Sequence, residues 1–384
     1  MITSVIEGDK LIICLEGRIS SDNVEQIERK TEDILQKNDT PFLFDAENLS
    51  YISSAGLRFL LKLSKKRKEK LTVRNVSPEI YDIFETTGFT NLLDVKKKMR
   101  NISIDGCPMI GKGAMGSVYR IDSDTIIKVY DRAEDTASIE DEVQKAKEAF
   151  WLGVPTAIPF DIVKVGDKYG AVFELLKAQN CNDFLAEDIS RIDDFCIRYA
   201  KLIKSIHSVN ASEINLPRIE DMYIDNLMAI REYLPGNLYN RLLDKINSIP
   251  VEECIIHGDL QVKNIMMTSD ELIIIDMDTL SKGNPIFEFA GLYMTYITFD
   301  VHEPDNTEKF LNLNKYAAEK LYYDTLKHYY SDLNSDDFIK LSGTIKALGL
   351  IRFMFLIASL GIGLPELRDI RIKDSVSELE KLVG

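Results

Sequence analysis

The stretch HGDLQVKNIMM, residues 257–267, sets Asp259 on a tight bend and Asn264 five residues further on, and the apolar run LIIIDMD then ends in Asp276. Moving a phosphoryl group onto a hydroxyl needs a carboxylate that holds the hydroxyl and takes its proton, together with hard oxygen ligands that keep magnesium on the phosphates. Asp259 has the chemistry for the first task. Asn264 can return its side-chain oxygen to the metal, and Asp276 ends a second apolar strand at a spacing that suits a hairpin. His257 is better suited to bracing the bend by hydrogen bonding than to taking a proton, and Gly258 lets the backbone turn tightly.

Each of these residues alone reads as a cap, a turn residue or a strand end. Their weight comes from what precedes them. From Ile110 the chain runs IGKGAMGSVYRIDSDTIIKVYD, with Gly111, Gly113 and Gly116 between stretches that read as strands. Three glycines are a weak sign, because dinucleotide-binding turns use the same spacing, but there they join a strand to a helix. Between two strands they let a hairpin lie close over nucleotide phosphates, with Val118 roofing the base and Lys128 on the next strand pairing with the phosphates. A lysine in an apolar strand needs an anionic partner. The helical run SIEDEVQKAKEAFWLG offers Glu140 and Glu142. Glu142 is the choice, because its register leaves Val143 and Ala146 facing inward and kinase-like families place their ion-pair glutamate there; Glu140 is the fallback. KYGAVFELLKA reads as a buried strand running into a connector, and the backbone of Phe173, Glu174, Leu175 and Leu176 offers donors and acceptors to an adenine.

Glycine loop, lysine, glutamate helix, HGDxxxxN and apolar-IDxD follow one another in an order that resembles the aminoglycoside phosphotransferase and choline kinase family, a branch of the protein-kinase-like fold, over about residues 102–384. The resemblance implies Asp259 as the catalytic base, Asn264 and Asp276 as magnesium ligands, and Lys128, paired with Glu142, as the phosphate-binding lysine. ATP and Mg2+ are the implied cofactors. Asp278 falls on a variable position, with a supporting or substrate-facing role. GNPIFEFA is similar to the family's GDPxxDLA segment with Glu288 in place of an aspartate, a departure that bears on how the loop is braced.

The elements that must carry these residues follow from periodicity. The late apolar segment IKALGLIRFMFLIASLGIGL carries Lys346 and Arg352, so a membrane span would bury charge, and a core helix is expected. Ahead of the glycine loop, DKLIICLEG and PFLFDAENL alternate as strands, SDNVEQIERKTEDILQK and SSAGLRFLLKLSKKRKEK repeat at helical spacing, and LTVRNV and SPEIYDIFETTG add a strand and a short helix ending at Gly88. Within this βαβ rhythm, FDAENLSYISSAGLRFL resembles the signature of STAS domains, the family of bacterial anti-sigma-factor antagonists. Asp45 falls on the family's strand-end aspartate, Ser54 on its phosphorylatable serine, and Gly56 and Leu57 on the residues after it; Ser53 stands where many members have an aspartate. A phosphate on Ser54 would meet helix-start amides and the positive end of the dipole.

The expected architecture is therefore a multidomain α+β and α/β chain. A STAS-like mixed sheet with helices occupies residues 1–98, a linker 99–104, and a bilobal protein-kinase-like fold follows, with a β-rich lobe over 105–178 and a helical lobe over 179–384. Net charge is −15; residues 1–100 hold 17 basic and 16 acidic side chains, and the remainder holds 30 against 46. Such an acidic surface disfavours nucleic acid and anionic membrane as partners and favours a cationic one. Five cysteines without paired spacing, and an opening stretch without a charged-then-apolar leader, fit a reducing cytoplasm.

Protein kinases carry an arginine where this chain has Gly258, and only eleven residues separate Asp276 from Glu288, so a platform for protein substrates is missing. The acidic, tyrosine-bearing segments PRIEDMYIDNLMAIREYL and SDLNSDDFIK are expected to form an acidic pocket for an amino sugar or choline-like alcohol. The favoured function is a small-molecule hydroxyl kinase with a STAS regulatory domain that can meet a protein partner. Its rival is a regulatory kinase acting on a STAS-type serine, Ser54 of the same chain included; a nucleotide-binding scaffold without turnover is the weakest reading, because every catalytic position is filled.

Overall fold

Parallel strands need crossover connections, and the first hundred residues supply them. In the computed structural model, which describes residues 2–383 apart from 39, 68–69, 114, 132–135 and 270, strands β1 (Ile2–Glu7), β2 (Lys10–Ile19), β3 (Phe42–Ile52), β4 (Thr72–Val76) and β5 (Asp94–Lys97) form one sheet in sequence order. β1 and β2 are an antiparallel hairpin and the remaining pairs are parallel, linked by helices α1 (Val24–Gln36), α2 (Ser54–Arg67) and α3 (Pro78–Thr86). The helices bury Ile27 and Leu35, Leu57, Leu60 and Leu63, and Ile80 and Phe84 in one core with Phe44 and Val73 of the sheet. Ser77 caps α3, its Oγ accepting from the Ile80 amide, and Gly88 terminates the segment at φ +74°. Asp45 is nearly buried and takes hydrogen bonds from Arg74 Nε and Asn75 Nδ2, both at 2.8 Å, so it ties β3 to β4.

The chain divides into two units, Met1–Ser103 and Ile104–Gly384. The second opens with five antiparallel strands, β6 (Met109–Lys112), β7 (Gly116–Arg120), β8 (Thr125–Tyr130), β9 (Pro159–Val165) and β10 (Lys168–Glu174), in the order β6-β7-β8-β10-β9. Helix α4 (Ala137–Trp151) packs Ile139 and Val143 against Tyr130 and Ala171 of this sheet. A helical body follows: α5 (Cys181–Glu187), α6 (Ile192–His207), α7 (Ile219–Ala229), α8 (Leu238–Asn247), α9 (Ile286–Tyr293), α10 (Asn306–Leu311), α11 (Lys315–Tyr329), α12 (Ser335–Ser359) and α13 (Arg368–Leu382). Two small antiparallel ribbons punctuate it. One is β11 (Gln179–Asn180) with β13 (Ile265–Met267) and β14 (Leu272–Ile274); the other is β12 (Cys254–Ile256) with β15 (Ser281–Gly283).

Helix α12 is long and apolar enough to cross a membrane by length and composition, yet half of its most apolar window is buried inside this unit. Its charges have partners there: Lys346 pairs with Glu378 of α13, and Arg352 donates to the Gly258 carbonyl at 2.8 Å. It is a core helix.

Candidate active site

Lys128 stands in the middle of β8, opposite Val118 of β7 and Ala171 of β10, and so projects from the sheet between apolar neighbours. Its ammonium donates to Glu142 Oε1 at 2.8 Å and to Asp276 Oδ1 at 2.7 Å. Burial works against the charge on Lys128, but the two carboxylates outweigh it and hold the group above the usual lysine range. Glu142 is buried on the inner face of α4 with Val143 and Ala146, and its second oxygen accepts from the Tyr130 hydroxyl at 2.8 Å. Glu140, one half-turn away, instead accepts from Thr136 Oγ1 in the first turn of α4.

The glycine hairpin separates into two kinds of position. A Cβ on Gly116 would stand 2.0 Å from the Val129 carbonyl oxygen, so the approach of β7 to β8 excludes any side chain there. A Cβ on Gly113 would meet nothing within 4 Å, and one on Gly111 only Val118 at ordinary contact distance. The fold therefore demands glycine at 116 and leaves the other two to whatever lies under the hairpin. Gly116→Ala is expected to lower stability by about 1–3 kcal/mol through overpacking, whereas Gly113→Ala should melt within a degree or so of wild type while weakening nucleotide binding. Thermal melts beside nucleotide titrations check the pair.

At the end of β10 and the start of the connector, the amides of Glu174 and Leu175 donate to Ile158 O at 3.0 Å and Asp124 O at 2.8 Å. That narrows the expected adenine contacts, because these two donors serve the fold.

Downstream of β12 the loop bearing Asp259 is fixed group by group. Gly258 adopts φ +83°, and a Cβ there would stand 2.9 Å from the Thr279 carbonyl, so conformation and space both require glycine. The amides of His257 and Gly258 donate to the two oxygens of Glu288 at 2.7 and 3.0 Å. Glu288 is almost fully buried on α9, with His207 Nε2 3.6 Å away; burial pushes its carboxyl up, but His207 and His257 outweigh that and hold it below the usual range. The glutamate that replaces the expected aspartate thus braces the loop itself. His257 accepts from the Asp259 amide through Nδ1 at 3.3 Å and lies 3.1 Å from Ile275 O through Nε2, which assigns its proton to Nε2. The histidine is a brace between two loops.

Asn264 Nδ2 donates to Asp259 O at 2.8 Å and to Asp259 Oδ2 at 3.0 Å, and Gln261 Nε2 lies 3.2 Å from the same carboxylate oxygen. Burial raises the affinity of Asp259 for a proton, against the pull of Arg352 and the hydrogen bond from Gln261. The Ile275 amide donates to Asn264 O at 2.9 Å, which sets Asp276, at φ +70°, next to the loop. Asp278 is exposed, and its carbonyl accepts from Lys145 Nζ at 2.8 Å.

Among the described residues no group of three or more His, Cys, Asp or Glu side chains is arranged to hold a metal. The donor set present is one carboxylate, Asp276, and one amide, Asn264, whose Nδ2 is engaged with Asp259 and whose Oδ1 is the atom suited to ligation. Two hard oxygen donors suit a magnesium ion that keeps its remaining places for phosphate and water, so the residues fit the expected ion.

Among the described residues, the two segments expected to form an acidic pocket turn most of their carboxylates to solvent. Asp221 and Asp225 on α7 and Asp336 and Asp337 on α12 are exposed, and Glu220 is paired with Arg218. None of them lines the cavities of about 430 and 300 Å³ in the helical body, which are bounded by Tyr329, Tyr330 and Glu252 and by Tyr233 and Ile372 respectively. Asp336 and Asp337 occupy the first turn of α12, where acidic side chains stabilise the helix dipole.

A β-rich lobe that fixes a lysine–glutamate pair, answered by a helical body that fixes carboxylates on two stitched loops, is the protein-kinase-like way of building a phosphotransferase. Residues 107–321 match the Phosphotransferase enzyme family and residues 1–102 the STAS domain. The chain belongs to the phosphotransferase enzyme family and carries a STAS domain ahead of that part. The STAS portion is similar to BtrV of Bordetella bronchiseptica, a candidate anti-sigma factor antagonist, with 34% identity over 88 residues that cover 22% of this chain and 76% of that protein. Among solved structures, a choline/ethanolamine kinase family protein from Mesorhizobium loti has a TM-score of 0.47 at 14% identity, covering 72% of this chain and 92% of that one. Choline kinase LicA from Streptococcus pneumoniae has a TM-score of 0.43 at 18% identity, covering 72% and 96%.

Proposed function

We propose that the second unit transfers the γ-phosphoryl group of ATP to a hydroxyl of a small, cationic molecule, and that the STAS domain regulates it. The observation that carries this reading is the chain of contacts from Glu142 through Lys128 to Asp276, with Asp259 and Asn264 on the adjoining loop. In this scheme Lys128, held by Glu142, aligns the phosphates beneath Gly111 and Gly113, with Val118 over the base and the 173–176 connector beside the adenine. Asp259 receives the proton of the attacking hydroxyl, and its two amide neighbours hold the carboxylate in place. Asn264 and Asp276 would hold magnesium, which when bound offsets charge on the phosphates. Gly258 in place of an arginine and the short segment from Asp276 to Glu288 favour a small acceptor over a protein. The net negative charge of this unit favours a cationic one.

A second reading rests on Ser54. At the start of α2 the Gly56 amide lies 3.4 Å from Ser53 Oγ, so Ser53 occupies the capping position while Ser54 stands exposed in the first turn. A kinase acting on STAS serines, this one included, would find that hydroxyl accessible. Two measurements separate the readings. ADP release from Mg·ATP across a panel of amino alcohols and aminoglycosides is expected to rise with at least one compound, and intact mass after incubation with Mg·ATP is expected to stay unchanged. A gain of one phosphate that disappears in Ser54→Ala, with no response to any small acceptor, would reverse the assignment.

A further inference from the structure

We infer that Arg352, which lies beyond the matched family region, is a positioning residue for the loop that carries Asp259; this rests on the phosphotransferase reading above. Gly258 is the most permissive residue of that loop, and it precedes the base directly. The peptide planes on either side of it are each held at both ends. In the plane joining His257 to Gly258, the carbonyl accepts from Thr279 Oγ1 at 2.7 Å and the amide donates to Glu288 at 3.0 Å. In the plane joining Gly258 to Asp259, the amide donates to His257 Nδ1 at 3.3 Å, and the carbonyl accepts from Arg352 Nη1 at 2.8 Å. Because a peptide unit is rigid, fixing both ends fixes the direction in which Asp259 leaves the backbone.

The fold makes room for this contact at two other positions. A Cβ on Gly349, one turn before Arg352, would stand 2.8 Å from Tyr293 Cδ1 and 2.9 Å from Ala290 O, so its absence lets α12 lie close against α9. A Cβ on Gly291 would stand 3.4 Å from both Arg352 Nη1 and Gly258 O, on the line of the contact itself. A charged side chain in a long, largely apolar helix is costly unless its charge is used. Here the charge is used on the Gly258 carbonyl, next to the residue that carries the base.

Displacing a base by about 1 Å costs on the order of 100-fold in rate. In the full-length protein, Arg352→Met is therefore expected to lower kcat for ADP release from Mg·ATP, with water or any panel compound as acceptor, about 100-fold while KM for ATP stays within about twofold. Arg352→Lys, which keeps a donor and a charge, is expected to recover part of the loss, and it covers the case in which the methionine variant does not fold. Hydrogen exchange supplies a readout free of turnover: the segment around residues 257–264 should exchange faster in Arg352→Met than in wild type, by more than the change in global stability accounts for. Equal exchange and equal kcat overturn the inference, as does a loss expressed wholly in KM for ATP. A wild type that releases no ADP under any condition defeats the phosphotransferase reading instead, and the exchange comparison still decides the role of Arg352.

Discussion

Asp259→Asn is expected to reduce phosphoryl transfer about 10²–10⁴-fold, the range over which a positioned general base acts, while nucleotide affinity stays within about twofold of wild type. The substitution keeps the shape of the side chain and removes its capacity to take a proton. Asn264 and Gln261 converge on this carboxylate and Arg352 holds the preceding carbonyl, so the base is pre-oriented by groups that are not themselves altered. Asp259→Ala should match the loss in turnover and also lower stability by about 1–3 kcal/mol, because a buried amide donor loses its acceptor. Steady-state turnover beside nucleotide titration checks both. Wild-type turnover in the asparagine variant would remove Asp259 from the mechanism.

The second large effect is expected at Lys128, where one substitution strikes both activity and stability. Lys128→Met removes the cation that offsets Glu142, whose side chain is only 6% exposed. Breaking such a buried pair from one side costs about 3–5 kcal/mol. The variant can relieve this by protonating Glu142, which burial already favours. A carboxyl whose folded pKa is raised loses stability as pH rises, so the deficit relative to wild type should be largest near neutral pH and shrink on acidification. Adding Glu142→Gln to Lys128→Met should restore most of the stability, since a neutral amide needs no counter-charge, and none of the turnover. Denaturant melts and turnover across the four combinations form the cycle. Recovery of activity in the double variant would refute a phosphate-aligning role for Lys128, and an unchanged melt in the single variant would refute the ion pair.

How much of this was legible in the sequence depended on how local the determining physics is. The pairing of Lys128 with Glu142 could be read because an amine in an apolar strand requires an anion, and the helix register of α4 permits only one of its two candidate glutamates to face inward. The short helix from Ser77 to Gly88 was equally readable, since a capping serine, a proline in the first turn and a left-handed glycine are all local signals. The bracing by Glu288 was half visible: its place in GNPIFEFA was clear, but its bonds to the His257 and Gly258 amides depend on how α9 packs. Arg352 was hidden as a partner of the site, because its contact spans 94 residues and comes from a helix whose composition signals only core. Its charge among apolar neighbours was the available signal, and it was read solely as an argument against a membrane span. The two acidic segments were less legible for a related reason. Composition locates acidic residues on a helix without saying which face they occupy: Asp221, Asp225, Asp336 and Asp337 are exposed, and Glu220 is spent on Arg218.

The most direct test of the central claim is a crystal structure of the full-length protein with magnesium and a non-hydrolysable ATP analogue. The account predicts phosphates beneath Gly111 and Gly113 and in contact with Lys128, metal density shared by Asp276 and Asn264, and the γ-phosphate facing Asp259. Nucleotide bound elsewhere, or a metal that neither Asp276 nor Asn264 touches, would contradict it.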